Sequence, residues 1–365
     1  MRGPAVHPIV IAAGGTGGHF FPAEALAAAL LARGERVALL TDQRAAEKLP
    51  PVFARGEVYV LRGAGIAGRG LRRGAAAMGA LAAGTMQARA ILRSLRPSVI
   101  VGFGGYPTIA PVLATRLLRD PPPVVLHEQN AVLGRANRAM AGRASLLALS
   151  FATTQRIPRG VPTLLTGNPV RAGFGDRAAH PTLPAGLNLL VLGGSLGARV
   201  FSDAVPATLG LLPEATRRRL RVVQQCRPED IERVTNAYRT HAITAELSTF
   251  FPDVAARLAA ADLVIARAGA STVAELAVAG RPAILVPLPG AIDDHQTANA
   301  EALALAGGAW VIAQRDIATL GDRLASLLAD PYALVAAGRA AASLARPDAA
   351  DRLADAVMLH ARVMS

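Results

Sequence analysis

Twice in this chain, once in each half, a short run of branched apolar residues ends in a glycine loop that opens directly onto an alanine-rich helical stretch. In the first case a strand is expected over residues 6–13, a turn over Gly14, Gly15, Thr16, Gly17, Gly18 and His19, a helix over 22–32 that Gly34 closes, and a second strand over 37–40. In the second a strand over 189–192 runs into Gly193, Gly194, Ser195, Leu196 and Gly197, followed by a helix over 198–209. Each is the opening of a βαβ unit, and two of them imply an α/β architecture of two doubly wound domains facing each other across a cleft. Glycine and proline cluster at Gly167, Pro169, Gly173, Gly175 and Pro181, which places the link in residues 166–184. At 365 residues with 52% hydrophobic content, the chain has room for two domains and a core in each.

A third stretch, residues 261–300, has the same logic. Asp262 to Ala266 reads as a strand buried on both faces, Ala268, Gly269 and Ala270 as a small-residue turn, and 272–279 as a helix stopped by Gly280, Arg281 and Pro282. The helix start offers unpaired N–H groups and the positive end of a dipole, which favour a phosphate. Glu275 lies about one turn in, where its carboxylate could take both hydroxyls of a ribose; Thr272 and Glu275 equally spell a capping box. Gln296 and Asn299 are three apart and share a helical face from which amides could read a sugar or a base.

Composition removes several classes. The single cysteine, Cys226, excludes an internal disulfide framework, fits a reducing compartment, and follows an apolar-polar run that marks it as packed rather than nucleophilic. The apolar residues 9–13 run into glycines and make a poor secretory leader. The uncharged segment 97–115 nears the ~20 residues of a bilayer span, but Gly102, Gly104, Gly105, Pro107 and Pro111 break it. A net charge of +13 suits an anionic small substrate, an anionic membrane or nucleic acid. Aromatics at 4% leave few stacking platforms, and neither zinc-ligand spacing nor an RNA-binding signature occurs, so nucleic acid ranks last.

Two further loops follow expected strands: residues 102–106 after a strand over 98–101, and residues 127–130 after one over 124–126. Carboxyl ends of parallel strands gather on one edge, so both loops point to the ligand-binding side. The first loop misses the dinucleotide fingerprint, since counting from Gly15 and Gly17 the third glycine position holds Phe20. Residues 62–96 differ from their surroundings: Arg62, Arg69, Arg72, Arg73, Arg89, Arg93 and Arg96 flank Leu71, Met78, Leu81 and Met86, a mixture suited to an anionic lipid surface or to a helix with its charges in water.

Taken jointly, GGTGGHFFPA from Gly14, GFGGYPT from Gly102, HEQNAVLGRAN from His127, TGNPVR from Thr166, GGSLGAR from Gly193, ARAGASTVAELAVAGRPAILVP from Ala266 and DDHQTANA from Asp293 resemble the MurG family of bacterial N-acetylglucosaminyltransferases, in glycosyltransferase family 28 with the GT-B fold. The motifs span both halves in order. The resemblance implies an N-terminal acceptor and membrane-facing domain over 1–168, a C-terminal nucleotide-sugar domain over 169–345, and a final helix over 346–365 that packs back on the first domain. It implies UDP-N-acetylglucosamine as donor, contacted by Thr16, Gly17, Gly18, Asn130, Arg171 and Ser195, with Ala270, Ser271 and Thr272 at the helix start, Glu275 on the ribose, Gln296 on the sugar or diphosphate, and Phe251 at a position whose backbone reads uracil. It implies an undecaprenyl-linked acceptor whose diphosphate faces Gly14, Gly15, Gly104, Gly105 and Tyr106, and a peripheral place on the cytoplasmic face of the bacterial inner membrane.

The chemistry expected is inverting transfer. An attacking 4-hydroxyl needs a base and a departing diphosphate needs positive potential. His19, at a helix start that disfavours imidazolium, is the candidate base and Glu128 the second. Helix N-termini with Arg171 could serve the diphosphate without metal, and no Asp-x-Asp triplet occurs to clamp one, so no cofactor is expected. The rivals are a UDP-N-acetylglucosamine 2-epimerase, a nicotinamide oxidoreductase and a non-catalytic membrane-surface binding protein.

Overall fold

The structure is a computed structural model that describes residues 7–14, 17–47, 49–54, 56–61, 71–171, 173–174, 186–194 and 197–362, without the side chains of residues 17–19 and 71–76. The chain divides into two compact units, Met1–Arg171 with Asp348–Ser365, and Ala172–Pro347.

The first unit is built on seven parallel strands in the order β3-β2-β1-β4-β5-β6-β7. In chain order they are β1 Ile9–Ala12, β2 Val37–Thr41, β3 Glu57–Val60, β4 Val99–Gly102, β5 Val124–Glu128, β6 Leu146–Leu149 and β7 Thr163–Leu165. Every residue of β1, β2, β4, β5 and β6 is buried, because helices cover both faces, and these strands therefore read as continuous apolar runs rather than alternating ones. The second unit has six parallel strands in the order β10-β9-β8-β11-β12-β13. They are β8 Leu187–Leu192, β9 Leu220–Gln225, β10 Thr244–Ser248, β11 Leu263–Ala266, β12 Ala283–Leu285 and β13 Ala309–Val311. Both sheets thus have the doubly wound order, in which the chain reverses direction beside the first strand. The reversal lies between β1 and β4 in one unit and between β8 and β11 in the other, and ligands of such sheets bind outside the carboxyl ends there.

Of the element boundaries that differ from the sequence expectation, three bear on the site. The first helix runs Gly17–Ala32 with Pro22 inside it; Pro22 falls near the helix start, and burial of Phe20, Ala23, Leu26, Ala27 and Leu30 outweighs the lost backbone bond. Strand β5 extends through His127 and Glu128, which are therefore sheet residues rather than loop residues. The helix expected from Thr272 begins at Ala270.

The C-terminal helix Ala349–His360 belongs to the first unit. Leu353, Ala354, Ala356 and Val357 join its core, and Arg33 bridges Asp351 at 2.8 Å and Asp355 at 2.6 Å. Cys226 is buried in the second core, where burial pushes its thiol up from the ordinary value, as suits a packed residue. Among the described residues no helix is long and apolar enough to cross a membrane.

Candidate active site

In the first unit the ends of β1 and β4 are tied to each other by one main-chain bond and one side-chain hydroxyl. Phe103 N donates to Ala12 O at 3.0 Å. Thr108 Oγ1 accepts the Gly104 N–H at 2.9 Å and lies 3.1 Å from Ala12 O and 2.9 Å from Gly104 O, so one hydroxyl ties both loops. Gly104 and Gly105 have φ of 89° and 71°, a left-handed pair that side-chain-bearing residues rarely adopt. Gly14 permits the approach: a Cβ there would come within 2.7 Å of Asp42 Oδ2 and 2.8 Å of Pro107 Cγ. Gly105 caps the helix Tyr106–Thr115 with no side-chain hydrogen bond; in its first turn Pro107 has no N–H and Thr108 N donates to Gly105 O at 3.3 Å.

Two candidates in this unit take other roles than the sequence suggested. Tyr106 points its hydroxyl away, donating to Ala80 O at 3.1 Å, so only its backbone lies at the glycine loop. Glu128, the second candidate base, has its carboxylate engaged within the unit. It is 1% exposed, and its carboxylate accepts from Asn130 N at 3.0 Å, Asn130 Nδ2 at 3.1 Å, Gly134 N at 2.9 Å and Asn137 Nδ2 at 2.9 Å. Four donors converge on its two oxygens, and two of them come from Asn130, which it orients. Beside it His127 is buried, with Nδ1 3.1 Å from Gln129 Nε2 and Nε2 3.1 Å from Gly167 O; the Gln129 amide can only donate, which assigns the ring proton to Nε2.

The backbones of Gly17, Gly18 and His19 form the first turn of the helix Gly17–Ala32, so His19 stands at a helix N-terminus as expected; its imidazole is outside the described side chains, as are Gly15, Thr16 and Ser195 altogether. Arg171 stacks its guanidinium 4.3 Å from the centre of the Phe21 ring on the same helix. Burial raises the Glu24 carboxyl from its ordinary value and the Arg171 charge opposes that.

In the second unit the helix expected to face a phosphate is Ala270–Ala279. Its N-cap, Gly269, offers no side-chain cap. Its C-terminus closes in a Schellman arrangement, with Gly280 at φ 62° and bonds of 3.0 Å from Gly280 N to Ala277 O and from Arg281 N to Leu276 O. Since Thr272 is the third helical residue and not the cap, the capping-box alternative for Glu275 falls; Glu275 is 5% exposed on the second turn. The Ser271 hydroxyl is buried and has no hydrogen-bond partner among the described residues. Gln296, on the helix His295–Leu305, accepts from Leu288 N at 3.0 Å through Oε1, which leaves its amide hydrogens for a ligand. Asn299 does not share that duty: it is fully buried and donates to Ala268 O at 3.1 Å, clamping the glycine turn from behind. Phe251 is buried under the Arg257 guanidinium, 4.1 Å from its ring centre, and Glu246 and Asp253 hold Arg257 at 2.8 Å each.

Sequence reasoning passed over Arg267, the first residue after β11. It is 9% exposed, its Nη1 donates to Val286 O at 3.0 Å and Pro287 O at 3.1 Å, and its Nη2 donates to Gln314 Oε1 at 2.6 Å. Burial pulls its pKa below the ordinary value, yet the guanidinium stays charged at neutral pH and adds positive potential next to the turn at residues 268–270. An arginine directly after an apolar strand was the available signal.

The N-terminal domain of glycosyltransferase family 28 matches residues 9–148 and its C-terminal domain matches residues 188–353. The chain is 59% identical over 362 residues to the UDP-N-acetylglucosamine–N-acetylmuramyl-(pentapeptide) pyrophosphoryl-undecaprenol N-acetylglucosamine transferase of Granulibacter bethesdensis, covering 98% of this chain and 94% of that one. It is 51% identical over 364 residues to the transferase of the same description from Acidiphilium cryptum, with 98% of each covered. The crystal structure of Acinetobacter baumannii MurG superposes with a TM-score of 0.77 at 30% identity, over 96% of this chain and 99% of that one. The fold is accordingly GT-B, the epimerase and oxidoreductase alternatives give way, and the chain belongs to glycosyltransferase family 28, among its MurG-type N-acetylglucosaminyltransferases.

Proposed function

We propose that this enzyme transfers N-acetylglucosamine from UDP-N-acetylglucosamine to the 4-hydroxyl of undecaprenyl-diphospho-N-acetylmuramoyl-pentapeptide, with inversion at the anomeric carbon, in peptidoglycan synthesis. The observation that carries the donor assignment is the uncapped helix start at Ala270, with the unpartnered Ser271 hydroxyl on its first turn and the buried Arg267 beside it. That constellation suits a diphosphate better than any neutral ligand. Glu275 takes the ribose hydroxyls, Gln296 the sugar or diphosphate, and the backbone at Phe251 the uracil edge; Ser195, Asn130, Arg171 and the turn Thr16, Gly17 and Gly18 complete the donor contacts. The glycine loops at Gly14, Gly15, Gly104 and Gly105, with the Tyr106 backbone, hold the acceptor diphosphate.

His19 removes the proton of the 4-hydroxyl as its oxygen attacks the anomeric carbon, and the bond to the diphosphate breaks as UDP leaves with the electron pair. A positioned base of this kind contributes roughly 10²–10⁴-fold, and preorganised donors on the leaving oxygen add a comparable factor of roughly 10²–10³. UDP release measured with and without a lipid-linked acceptor tests the proposal: acceptor-dependent release with a β-linked product is expected, and epimer formation from donor alone, or an α-linked product, would refute it.

The enzyme is proposed to sit peripherally on the cytoplasmic face of the bacterial inner membrane. On the first unit a cavity of about 480 Å³ is lined by Arg89, Arg93, Arg96, Arg119, Arg362 and one acid, Asp120, together with apolar residues. Met78 and Met86 stand exposed on the helix Leu71–Leu95, which also carries Arg89 and Arg93, and Leu117 stands exposed in the turn before Arg119. Basic groups near anionic lipid contribute about 1 kcal/mol each, so vesicles with anionic lipid are expected to bind the protein where zwitterionic ones do not.

A further inference from the structure

Strand β9 lies between β8 and β10 in the second sheet, and its last residue, Gln225, emerges between the loop after β8 and the segment after β10. Its side chain is 8% exposed. Oε1 accepts the Gly193 N–H at 3.2 Å and Nε2 donates to Thr249 O at 3.2 Å. Both partners are main chain, so the orientation of the amide is forced: turned over, it would set N–H against N–H and oxygen against oxygen. Neither partner segment has slack. A Cβ on Gly193 would lie 2.3 Å from Ala198 N, so the loop is pressed against the following helix. On the other side Cys226 N donates to Ser248 O at 2.9 Å and Ser248 Oγ donates to Phe250 O at 2.7 Å, which draws the 248–251 segment tight.

Under the donor reading above, on which this inference rests, Gly193 opens the loop at the diphosphate and Phe251 marks the segment at the uracil. The strands that carry them are two spacings apart, about 9.5 Å, comparable with the reach of a nucleoside from its base to its phosphates. We propose that Gln225 is a positioning residue that fixes the distance between the base-reading segment and the phosphate loop. It touches no reacting atom. Its effect is to let both ends of one nucleoside diphosphate bind at once, so that the second contact follows from the first instead of waiting for a loop to order.

Replacing Gln225 with methionine keeps the shape and removes both bonds. The measurements are inhibition by uridine and by UDP, the donor and acceptor KM, kcat and the melting temperature, all on the full chain. The expected result is a donor KM raised about tenfold, kcat and acceptor KM within twofold of the parent, and a tenfold fall in the ratio of UDP to uridine affinity with uridine alone unchanged. A purely structural residue would weaken uridine and UDP together and lower the melting temperature, and that outcome overturns the proposal, as does a donor KM within twofold of the parent. If the variant does not fold, amide exchange on the unaltered protein decides. UDP protecting peptides 189–194 and 247–253 together, where uridine protects only the second, supports the coupling; UDP protecting one alone overturns it. Protection of neither would instead remove the donor assignment itself.

Discussion

The two sheets share a strand order and place glycine loops at the same topological point, yet they prepare different surfaces there. In the first unit three polar side chains near the reversal are held within the unit, although the buried Thr41 hydroxyl beside Gly14 has no partner among the described residues: Thr108 ties two loops, Glu128 gathers four donors, and Tyr106 turns its hydroxyl to the helix Leu71–Leu95. What faces the edge is a rigid backbone. In the second unit the corresponding point leaves a hydroxyl unpartnered at Ser271 and buries a guanidinium at Arg267 among neutral oxygens. One unit is mainly a frame and the other stores positive potential at Arg267, whose hydrogen-bond acceptors are all neutral oxygens. A shared fold sets where a site forms; the loop side chains decide which charge it can meet.

If the frame serves catalysis and the charged edge serves donor affinity, substitutions in the two units should separate kcat from binding. His19→Ala, in the first unit, is expected to lower kcat by roughly 10²–10³-fold while UDP affinity measured by calorimetry stays within a few-fold. A drop confined to UDP affinity would merge the two roles and break the comparison.

The next effect is on stability, and it contrasts the two glycine loops. At Gly193 an added methyl meets main chain, with Ala198 N at 2.3 Å and Gly197 Cα at 2.8 Å, whereas at Gly14 it meets side chains of Asp42 and Pro107. Side chains can give and backbone cannot. Gly193→Ala is expected to cost about 3 kcal/mol and Gly14→Ala about 1 kcal/mol, at the two ends of the overpacking range, read as denaturant midpoints. Equal losses would show that the first loop is no more yielding than the second.

How much of this was legible in the sequence follows the same division. The doubly wound fold was readable because fully buried parallel strands are continuous apolar runs, and both glycine loops announce themselves at their ends. Helix starts were not, since Pro22 and Thr272 carry strong local signals that tertiary packing overrode. Directions were not readable either. Nothing in GFGGYPT tells that Tyr106 turns toward Ala80, and Gln296 and Asn299 share a face by spacing while one meets Leu288 N and the other Ala268 O. Arg267 and Gln225 act through partners 19 to 47 and 24 to 32 residues away, which no local pattern encodes.

Arg267→Met tests whether the stored potential is used. It removes three hydrogen bonds and one charge close to the 268–270 turn, and UDP affinity is expected to fall about 10–30-fold, the worth of one charged interaction at about 1.5–2 kcal/mol. Arg267→Lys keeps the charge without the planar fork and should recover part of that loss. Calorimetric titration of folded protein with UDP decides, and a methionine variant that binds UDP like the parent would reduce Arg267 to a loop clamp.

The smallest effect is the most diagnostic because its sign depends on the ligand. The Ser271 hydroxyl is buried without a partner, a state that costs about 1–3 kcal/mol unless a bound group completes it. Removing it by Ser271→Ala should therefore raise the melting temperature of the free protein, by the order of 1 kcal/mol in stability. With saturating UDP the order should reverse, because the parent then gains a bond to a phosphate oxygen that the alanine variant lacks, and the donor KM of the variant should rise a few-fold. Melting curves of both proteins with and without UDP give all four values. A variant less stable than its parent in both states would mean that the hydroxyl already has a structural partner, and Ser271 would then resemble Thr108 of the first unit, whose hydroxyl is spent on its own loops.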